Sequence, residues 1–408
     1  MRIGIFTDTY PPYINGVSTS ISMLERALRK KGHQVFIVTV NPENMTYKYE
    51  KNIIRIPGIP TGIYDYRLTG IYPIRAIKTI KKWNLDVIHT HTEFGIGTFA
   101  RIIAKQLNIP LVHTYHTMYE DYVHYITKGY FNGTSKKIVE HLTKFYCDKT
   151  AKELIVPTRK AYDLFKEKYK VDKNVHIIPT GIEVNKFYKE NINKEKLNKI
   201  RQELNINERD FIILYIGRLG EEKNVDFLID NQEYFVNKNK NIKLIIVGSG
   251  PDYEKYQEKV KKLKLQNNII LTGKVPHEDI PYYYNLGNVF VTASTTETQG
   301  LTVIEAMSAS VPVVCIDDES FRNTVIHGLN GYLFKNEKEY KKYIDELIKD
   351  KYLIKKMSNQ AKIEADQYSS KYYAERVLDV YKKAIREKKP TKTLIEKTKD
   401  VIKKGLKD

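Results

Sequence analysis

The sequence predicts an α/β protein made of two Rossmann-like domains that face each other across a cleft. Short β-branched segments alternate with longer amphipathic stretches, which is typical of a parallel sheet covered by helices. The alternation restarts after residues 188–209, a charged, Asn-rich and weakly apolar segment. A chain of 408 residues is long enough for two such domains with separate cores. Because ligands of these sheets bind at the carboxyl ends of the strands, we expect the functional site in the cleft.

Two series of strands are predicted. The first comprises 3–6, 35–40, 53–56, 87–89, 111–113 and 154–156, and the second comprises 211–216, 244–247, 269–271, 289–292 and 313–316. Near the C terminus, Ser369 or Ser370 is a candidate N-cap for a helix with apolar residues at helical spacing. We therefore predict domains at 1–185 and 186–367, a hinge near 181–187, and a last segment, 368–408, formed by this helix and a basic amphipathic tail.

Cysteine usage and hydropathy indicate the compartment. The two cysteines, Cys147 and Cys315, lie far apart and lack metal-ligand spacing, which argues against a disulfide framework or a zinc site. No apolar run approaches the ~20 residues that a transmembrane helix needs. The N terminus runs directly into the first predicted strand, so we expect no signal peptide. These observations predict a soluble or peripheral protein of the cytoplasm.

The net charge of +19, from 68 basic and 49 acidic residues, predicts an anionic partner. Nucleic acid and anionic lipid are both compatible with it, as is a general lysine-rich composition. Residues 66–83 add a local pattern, in which an isoleucine recurs every third residue and basic residues lie between, ending in a tryptophan: Arg75, Lys78, Lys81, Lys82 and Trp83. This segment is either a membrane-surface helix or a helix that packs its isoleucines on its own sheet.

Two carboxylates with seven residues between them, Glu297 and Glu305, form the most informative motif. The first follows a predicted strand, and the second lies in the next predicted helix. Gly300, between them, can let backbone N–H groups approach a ligand, and a helix N-terminus there would favour an anion. The pair therefore suggests a ligand with hydroxyls and phosphates, such as a nucleotide sugar, although two solvated acids fit the spacing equally well.

Cations and glycines follow other predicted strands. Arg218 and Lys223 come between a strand and a helix, where they could neutralise a diphosphate or form surface ion pairs with the nearby glutamates. Gly248 follows the next strand and would let backbone approach a nucleotide, but such turns are common. Gly16 precedes a Ser/Thr cluster that can cap a helix, in a pattern that is not the dinucleotide fingerprint. His116, just past another strand, could bind a sugar hydroxyl or be structural.

In this order, the motifs resemble those of glycosyltransferase family 4, which comprises retaining enzymes with the GT-B fold. The resemblance covers nearly the whole chain and rests on the glycine loop at Gly16, His116-Thr117, Arg218 with Lys223-Asn224, and the Glu297–Glu305 frame. The family usually has Glu-Gly-Phe-Gly where this chain has Glu297-Thr298-Gln299-Gly300. This departure leaves the sugar contacts of the loop open.

The resemblance implies a GT-B fold, in which two Rossmann-like domains face each other across a cleft and a C-terminal helix crosses back to the first domain. It implies that Arg218 and Lys223 hold the donor diphosphate, that Glu305 binds the ribose, and that Glu297 contacts the transferred sugar. It further implies a sugar contact from His116 and backbone contacts with phosphate or sugar from Gly16, Gln299, Gly300 and Leu301. Neither a tightly bound cofactor nor a metal for the chemistry is implied.

Within the family, the N-terminal half is similar to bacterial enzymes that glucosylate diacylglycerol. The similarity includes His89-Thr90-His91-Thr92-Glu93-Phe94 and the segment 113–125. It implies UDP-glucose as donor, the 3-hydroxyl of 1,2-diacylglycerol as acceptor, and peripheral binding to an anionic membrane on its cytoplasmic side. Alternatives are another lipid, polysaccharide or cell-wall acceptor and, from a different class, a basic nucleic-acid-binding protein, which no recognised binding module supports.

Overall fold

A computed structural model describes residues 1–13, 15–60, 67–93, 95–116, 144, 147, 151–297 and 299–387. It contains two large parallel sheets that are flanked by helices. The predicted α/β architecture of two Rossmann-like domains is therefore confirmed. The basic tail predicted at 391–408 and part of the 113–125 segment lie outside the described residues.

The first half of the chain forms an eight-stranded sheet and a separate two-stranded ribbon. Its strands are β1 Arg2–Phe6, β2 Gln34–Val40, β3 Lys48–Glu50, β4 Ile53–Ile56, β5 Gly58–Pro60, β6 Arg67–Thr69, β7 Val87–Thr90, β8 Leu111–Thr114, β9 Glu153–Val156 and β10 Asn174–Ile177. The large sheet has the order β10-β9-β8-β7-β1-β2-β4-β3, and all of its pairs are parallel except β3 with β4. The helices are α1 Gly16–Lys30, α2 Ile74–Lys82, α3 Gly95–Gln106 and α4 Arg159–Asp163.

The second half forms a six-stranded, fully parallel sheet with the order β13-β12-β11-β14-β15-β16. Its strands are β11 Phe211–Ile216, β12 Ile242–Val247, β13 Ile269–Gly273, β14 Val289–Thr292, β15 Val313–Ile316 and β16 Gly331–Phe334. The helices are α5 Lys194–Glu203, α6 Val225–Lys238, α7 Tyr253–Lys262, α8 Ile280–Leu286, α9 Leu301–Ser308, α10 Glu319–Arg322, α11 Glu337–Lys349, α12 Lys351–Asp366 and α13 Ser370–Arg386. This strand order is that of a doubly wound nucleotide-binding sheet.

Helix α13 belongs to the second half in sequence but packs in the core of the first domain. Its apolar stripe, which includes Ala374, Val377 and Tyr381, is fully or almost fully buried. That stripe shares a hydrophobic cluster with Ile5 of β1 and Leu24 of α1. The crossing helix is therefore confirmed, and burial of its stripe fixes the C-terminal helix to the first sheet.

The chain crosses between the domains twice, and the two crossings pair with each other. The N–H of Ile182 donates to the carbonyl of Tyr368 at 2.8 Å, and the N–H of Ser370 donates to the carbonyl of Ile182 at 2.9 Å. A hinge near 181–187 was expected, and the outgoing chain passes between the sheets there. The domain boundaries at 185 and 367 stay predictions.

Helix α2 corrects one expectation for the basic segment 66–83. Its inner face packs Ala76 and Ile80 in the core, and Trp83 is buried against Phe36 with ring centroids 4.9 Å apart. Trp83 therefore does not lie on the surface as a membrane anchor, because it fills the space beside the first sheet. The basic residues remain exposed: Arg75, Lys78, Lys81 and Lys82. Among the described helices, none is both long and apolar enough to cross a membrane.

Candidate active site

Each large sheet has a point where the strand order reverses, and the candidate residues lie there. In the second sheet this switch point falls between β11 and β14, and in the first sheet it falls between β1 and β7. Helices leave to opposite sides of the sheet at such a point, so a crevice opens beyond the carboxyl ends of the two strands. The segments that follow these four strands supply most of the candidate side chains.

At the second switch point, the structure joins two residues that the sequence places 74 positions apart. Lys223 ends the short 3-10 turn Glu221–Lys223 after β11, and Glu297 follows β14. The Nζ atom of Lys223 lies 2.5 Å from Oε1 of Glu297. Both side chains are mostly buried, and they follow the two strands that flank the switch point. Arg218 also follows the carboxyl end of β11, and its side chain is 44% exposed. Its Nη1 atom lies 3.8 Å from Oε1 of Glu222.

Close packing requires glycine at two of the predicted positions in the second domain. Gly248 has φ +140°, and a Cβ atom there would come within 1.9 Å of the carbonyl oxygen of Gly217. Gly300 has φ +69° and is the N-cap of α9, where a Cβ atom would meet the ring of Phe321 at 2.4 Å. Only glycine fits such positions without moving the backbone. The first N–H groups of α9, starting at Leu301, therefore lie close to Glu297 in the chain and form an anion-favouring helix start.

Glu305 lies on the second turn of α9 and is held by Tyr284. The Tyr284 hydroxyl donates to Oε2 of Glu305 at 2.8 Å. Burial raises the pKa of Glu305 to about 7, and the hydrogen bond from Tyr284 only partly opposes this. The carboxyl is therefore balanced between its protonated and ionised forms near neutral pH, and a ligand hydroxyl that donates to it would favour the ionised form.

The side chain of Gln299 points away from solvent and pairs with the first domain. The N–H of Thr180 donates to Oε1 of Gln299 at 2.7 Å, and Nε2 of Gln299 donates to the carbonyl of Thr180 at 3.0 Å. The sequence indicated only that backbone here could contact a ligand. Thr298, the other unusual residue of the loop, lies outside the described residues.

At the first switch point, His116 forms a pair with a histidine that sequence reasoning did not single out. Nε2 of His116 lies 2.8 Å from Nδ1 of His91, which follows β7. Burial lowers the pKa of His116 to about 4, so the ring is neutral at physiological pH. A neutral ring can donate through one nitrogen and accept through the other, which suits binding of a sugar hydroxyl.

A second layer of hydrogen bonds lies behind this pair. His89 bonds to the hydroxyls of Tyr381 at 2.6 Å and Thr114 at 2.7 Å, and His113 bonds to Oε1 of Glu93 at 2.8 Å. Burial also lowers the pKa of the His89 and His113 rings. The sequence signal for this layer was the recurrence of His-Thr at the ends of the neighbouring strands β7 and β8.

The remaining predicted residue, Gly16, begins α1 and is exposed. Asn15 caps the helix by accepting from the N–H of Ser18 at 2.9 Å. A Cβ atom at Gly16 would meet nothing within 4 Å, so packing alone does not require glycine there. Elsewhere in the described ranges, no group of three His, Cys, Asp or Glu side chains is arranged to hold a metal ion.

Comparisons with known proteins agree with this architecture. The family model described as Glycosyltransferase Family 4 matches residues 14–186, and the model described as Glycosyl transferases group 1 matches residues 196–364. Among solved structures, a glycosyltransferase from Rickettsia africae has a TM-score of 0.72 at 18% identity, covering 94% of this chain and 98% of its own. Anabaena HepE in complex with UDP-glucose has a TM-score of 0.70 at 16% identity, covering 93% and 99%.

Two curated relatives are more similar in sequence. The alpha-monoglucosyldiacylglycerol synthase of Acholeplasma laidlawii is 34% identical over 386 residues, covering 93% of this chain and 96% of its own. The Streptococcus pneumoniae protein of the same name is 36% identical over 338 residues, covering 83% and 76%. The identity to the Acholeplasma laidlawii protein extends along almost the full length of this chain and of that protein. Together with the two parallel sheets of the GT-B fold, this identity shows that the chain belongs to glycosyltransferase family 4.

Proposed function

We propose that this protein transfers glucose from UDP-glucose to the 3-hydroxyl of 1,2-diacylglycerol, with retention of the anomeric configuration. The observation that carries the proposal is the Lys223–Glu297 pair at the second switch point, beside the glycine-capped start of α9. A cation and a hydroxyl acceptor placed together suit a ligand that joins a diphosphate to a sugar. The choice of diacylglycerol is supported by the names of the two relatives, both alpha-monoglucosyldiacylglycerol synthases.

We assign the donor contacts to residues of the second domain. Arg218 and Lys223 hold the diphosphate, Arg218 through its planar fork and Lys223 as a point charge. Glu305 accepts hydrogen bonds from the ribose hydroxyls, and Glu297 accepts from the sugar. Gly248, Gln299, Gly300 and Leu301 would bring backbone groups to the nucleotide, phosphate and sugar.

The reaction follows a front-face route in this proposal. The bond between C1 of glucose and the β-phosphate oxygen breaks, and the 3-hydroxyl oxygen of the acceptor bonds to C1 on the same face. The acceptor's proton passes to the departing phosphate oxygen. The cations stabilise the negative charge that develops on that phosphate. Neither a carboxylate nucleophile nor a metal is required, and Glu297 and Glu305 act as hydroxyl acceptors.

The first domain supplies the other wall of the site. His116 contacts a sugar hydroxyl, and its pairing with His91 fixes the orientation of the ring. The N-terminus of α1 at Gly16 approaches phosphate or sugar. In this proposal the two domains contribute to one site, and both would contact the donor before transfer.

The same domain carries an exposed apolar and basic surface that we propose docks on the anionic cytoplasmic face of the membrane. Ile71, just before α2, and Ile74, its first residue, are 60% and 71% exposed, and Leu68 is exposed on the β5–β6 ribbon. The cations are Arg75, Lys78, Lys81 and Lys82. At about 1 kcal/mol each, four cations give roughly 4 kcal/mol, which alone means about millimolar binding, so the apolar side chains must also insert.

A product assay tests the proposal. Purified protein is incubated with UDP-glucose and diacylglycerol in vesicles with and without anionic lipid, and the lipid product is identified by mass and by the configuration of its anomeric carbon. We expect an α-linked monoglucosyl lipid, formed faster on anionic vesicles. Parallel reactions contain GDP-sugars and phosphatidylinositol. Transfer only with one of these would replace the donor or acceptor, and no glycolipid from any pair would overturn the proposal.

A further inference from the structure

We propose that Gln299 is a positioning residue that ties the candidate donor loop to the hinge between the domains. Its side chain is 6% exposed, and both ends of its amide pair with the backbone of Thr180, at 2.7 Å and 3.0 Å. A side chain that binds the N–H and the carbonyl of one residue holds that residue in a single orientation, as a strand pair does. The two residues are 119 positions apart and belong to different domains.

The Thr180 side of this contact is a rigid anchor. The next residue, Gly181, packs so closely on α13 that a Cβ atom there would lie 2.6 Å from Cβ of Tyr373. Ile182 then pairs with the returning chain through hydrogen bonds to Tyr368 and Ser370. Thr180 therefore lies directly beside the paired crossings of the hinge, and its position follows the first domain and α13.

The Gln299 side of the contact lies inside the donor loop. Glu297 is two residues before it, and Gly300, the N-cap of α9, is the next residue. Within the loop, the described contacts also include the Lys223–Glu297 ion pair, which lies wholly in the second domain, whereas the Gln299 contact reaches the first. The contact with Thr180 therefore sets where Glu297 and the first N–H groups of α9 lie relative to the first domain, and a rotation at the hinge is passed to the donor loop.

This contact gives a physical reason for an unusual feature of the sequence. The resembled family usually has Phe at this position of the loop, and a phenyl ring can neither accept from the Thr180 N–H nor donate to its carbonyl. In this chain, the glutamine makes two directional hydrogen bonds to buried backbone groups. If either bond is lost, a buried polar group is left unsatisfied, so the loop position is strongly specified.

The test compares Gln299→Leu, the isosteric Gln299→Glu and a control, Gln202→Leu, whose side chain is exposed on α5. Hydrogen exchange at the Thr180 amide reports the contact without any reference to activity. We expect faster exchange there in Gln299→Leu and no change in the control. The carboxylate of Gln299→Glu can still accept from Thr180 N–H but cannot donate to its carbonyl.

Because the identity of the ligand rests on the proposed function, kinetics form a separate arm. For Gln299→Leu and Gln299→Glu we expect the KM for the nucleotide sugar to rise about tenfold, with the KM for the lipid acceptor within about twofold, because only the donor loop is released. Unchanged hydrogen exchange at the Thr180 amide in Gln299→Leu would overturn the proposed contact. Equal changes in the KM for the nucleotide sugar and the KM for the lipid acceptor would mean that Gln299 has only a general structural role. If the wild-type protein transfers no sugar, the proposed function fails. Hydrogen exchange at the Thr180 amide still decides whether Gln299 holds Thr180, because it needs no substrate.

Discussion

At the first switch point, histidines bond to one another, to hydroxyls and to the carboxyl of Glu93, whereas Lys223 and Glu297 at the second form an ion pair at 2.5 Å. In the first domain, burial keeps the His89, His91 and His116 rings neutral. In the second domain, Lys223 and Glu297 form an ion pair that is only partly exposed. A neutral wall orients a ligand by directional hydrogen bonds, and a charged wall can respond to charge that develops during a reaction.

Under the proposed function, the difference would assign separate tasks to the two domains. Charge stabilisation of a leaving diphosphate would fall to the second domain, and recognition of sugar hydroxyls would be shared with the first. Gln299 connects the two domains, because it belongs to the candidate donor loop of the second domain but bonds to Thr180 of the first domain, beside the hinge. Substitutions and pH should therefore act differently on the two walls.

The largest expected effect is on the charged wall. Lys223→Ala should lower kcat/KM for sugar transfer at least about 100-fold, roughly 3 kcal/mol, because a charge-assisted contact with the leaving diphosphate is lost. The matched control is Lys238→Ala, which removes a lysine with the same 2.5 Å distance to a carboxylate, Asp345, on the outer surface of the second domain. Transfer within about threefold of wild type in Lys223→Ala, with the fold intact by circular dichroism, would remove Lys223 from the site.

How far the sequence predicted this arrangement depended on whether the signal was local. Strands β11, β14 and β15 were predicted at their observed bounds, because they are almost entirely buried and are formed by nearly uninterrupted apolar residues. Strand β3 was missed, since its three residues are exposed at the sheet edge and carry no apolar pattern. The β5–β6 ribbon was missed for a similar reason, as most of its residues are exposed or only partly buried.

For the candidate site, residue types could be predicted but their pairing could not. Lys223 and Glu297 were each expected near a ligand from the strands that they follow. Their ion pair depends on β11 and β14 being neighbours, which no local pattern encodes. The Gln299–Thr180 contact depends on how the two domains are set against each other. The burial of Trp83 could not be predicted either, because its ring packs on Phe36, in a strand 47 positions away, and helical periodicity does not reveal such a contact.

A pH titration should separate the two walls by a smaller amount. Glu305 has a pKa raised to about 7, so it gains a proton as the pH falls through 7 and can no longer accept two ribose hydrogen bonds. If only the ionised form binds, UDP-glucose affinity should fall about tenfold between pH 8 and pH 6, a range in which the diphosphate of UDP-glucose does not itself titrate. His116, with a pKa of about 4, stays neutral across this range and contributes no inflection.

Calorimetric titration of UDP-glucose, without lipid acceptor, across this pH range measures the effect, and Glu305→Gln is the matched variant because its amide does not titrate. We expect weaker binding in Glu305→Gln at pH 8 and a flat profile between pH 8 and pH 6. A tenfold fall that persists in Glu305→Gln would assign the titration to another group.

The smallest expected effect on transfer concerns the hydrogen bonds behind the neutral wall. Tyr381→Phe removes the hydroxyl that bonds to Nδ1 of His89 and leaves a buried ring nitrogen without that partner. We expect the free energy of unfolding to fall by about 1 kcal/mol, measured by urea denaturation, because a buried hydrogen bond is lost. Tyr332→Phe, which removes a hydroxyl bonded to Glu346 at 2.9 Å in the second domain, is the control.

Because His89 stays packed against His91 with ring centroids 4.0 Å apart, kcat/KM should stay within about twofold of wild type in both variants. A fall of tenfold or more in Tyr381→Phe alone would mean that the crossing helix controls His116 through this layer, and that the first wall takes part in the chemistry as directly as the second.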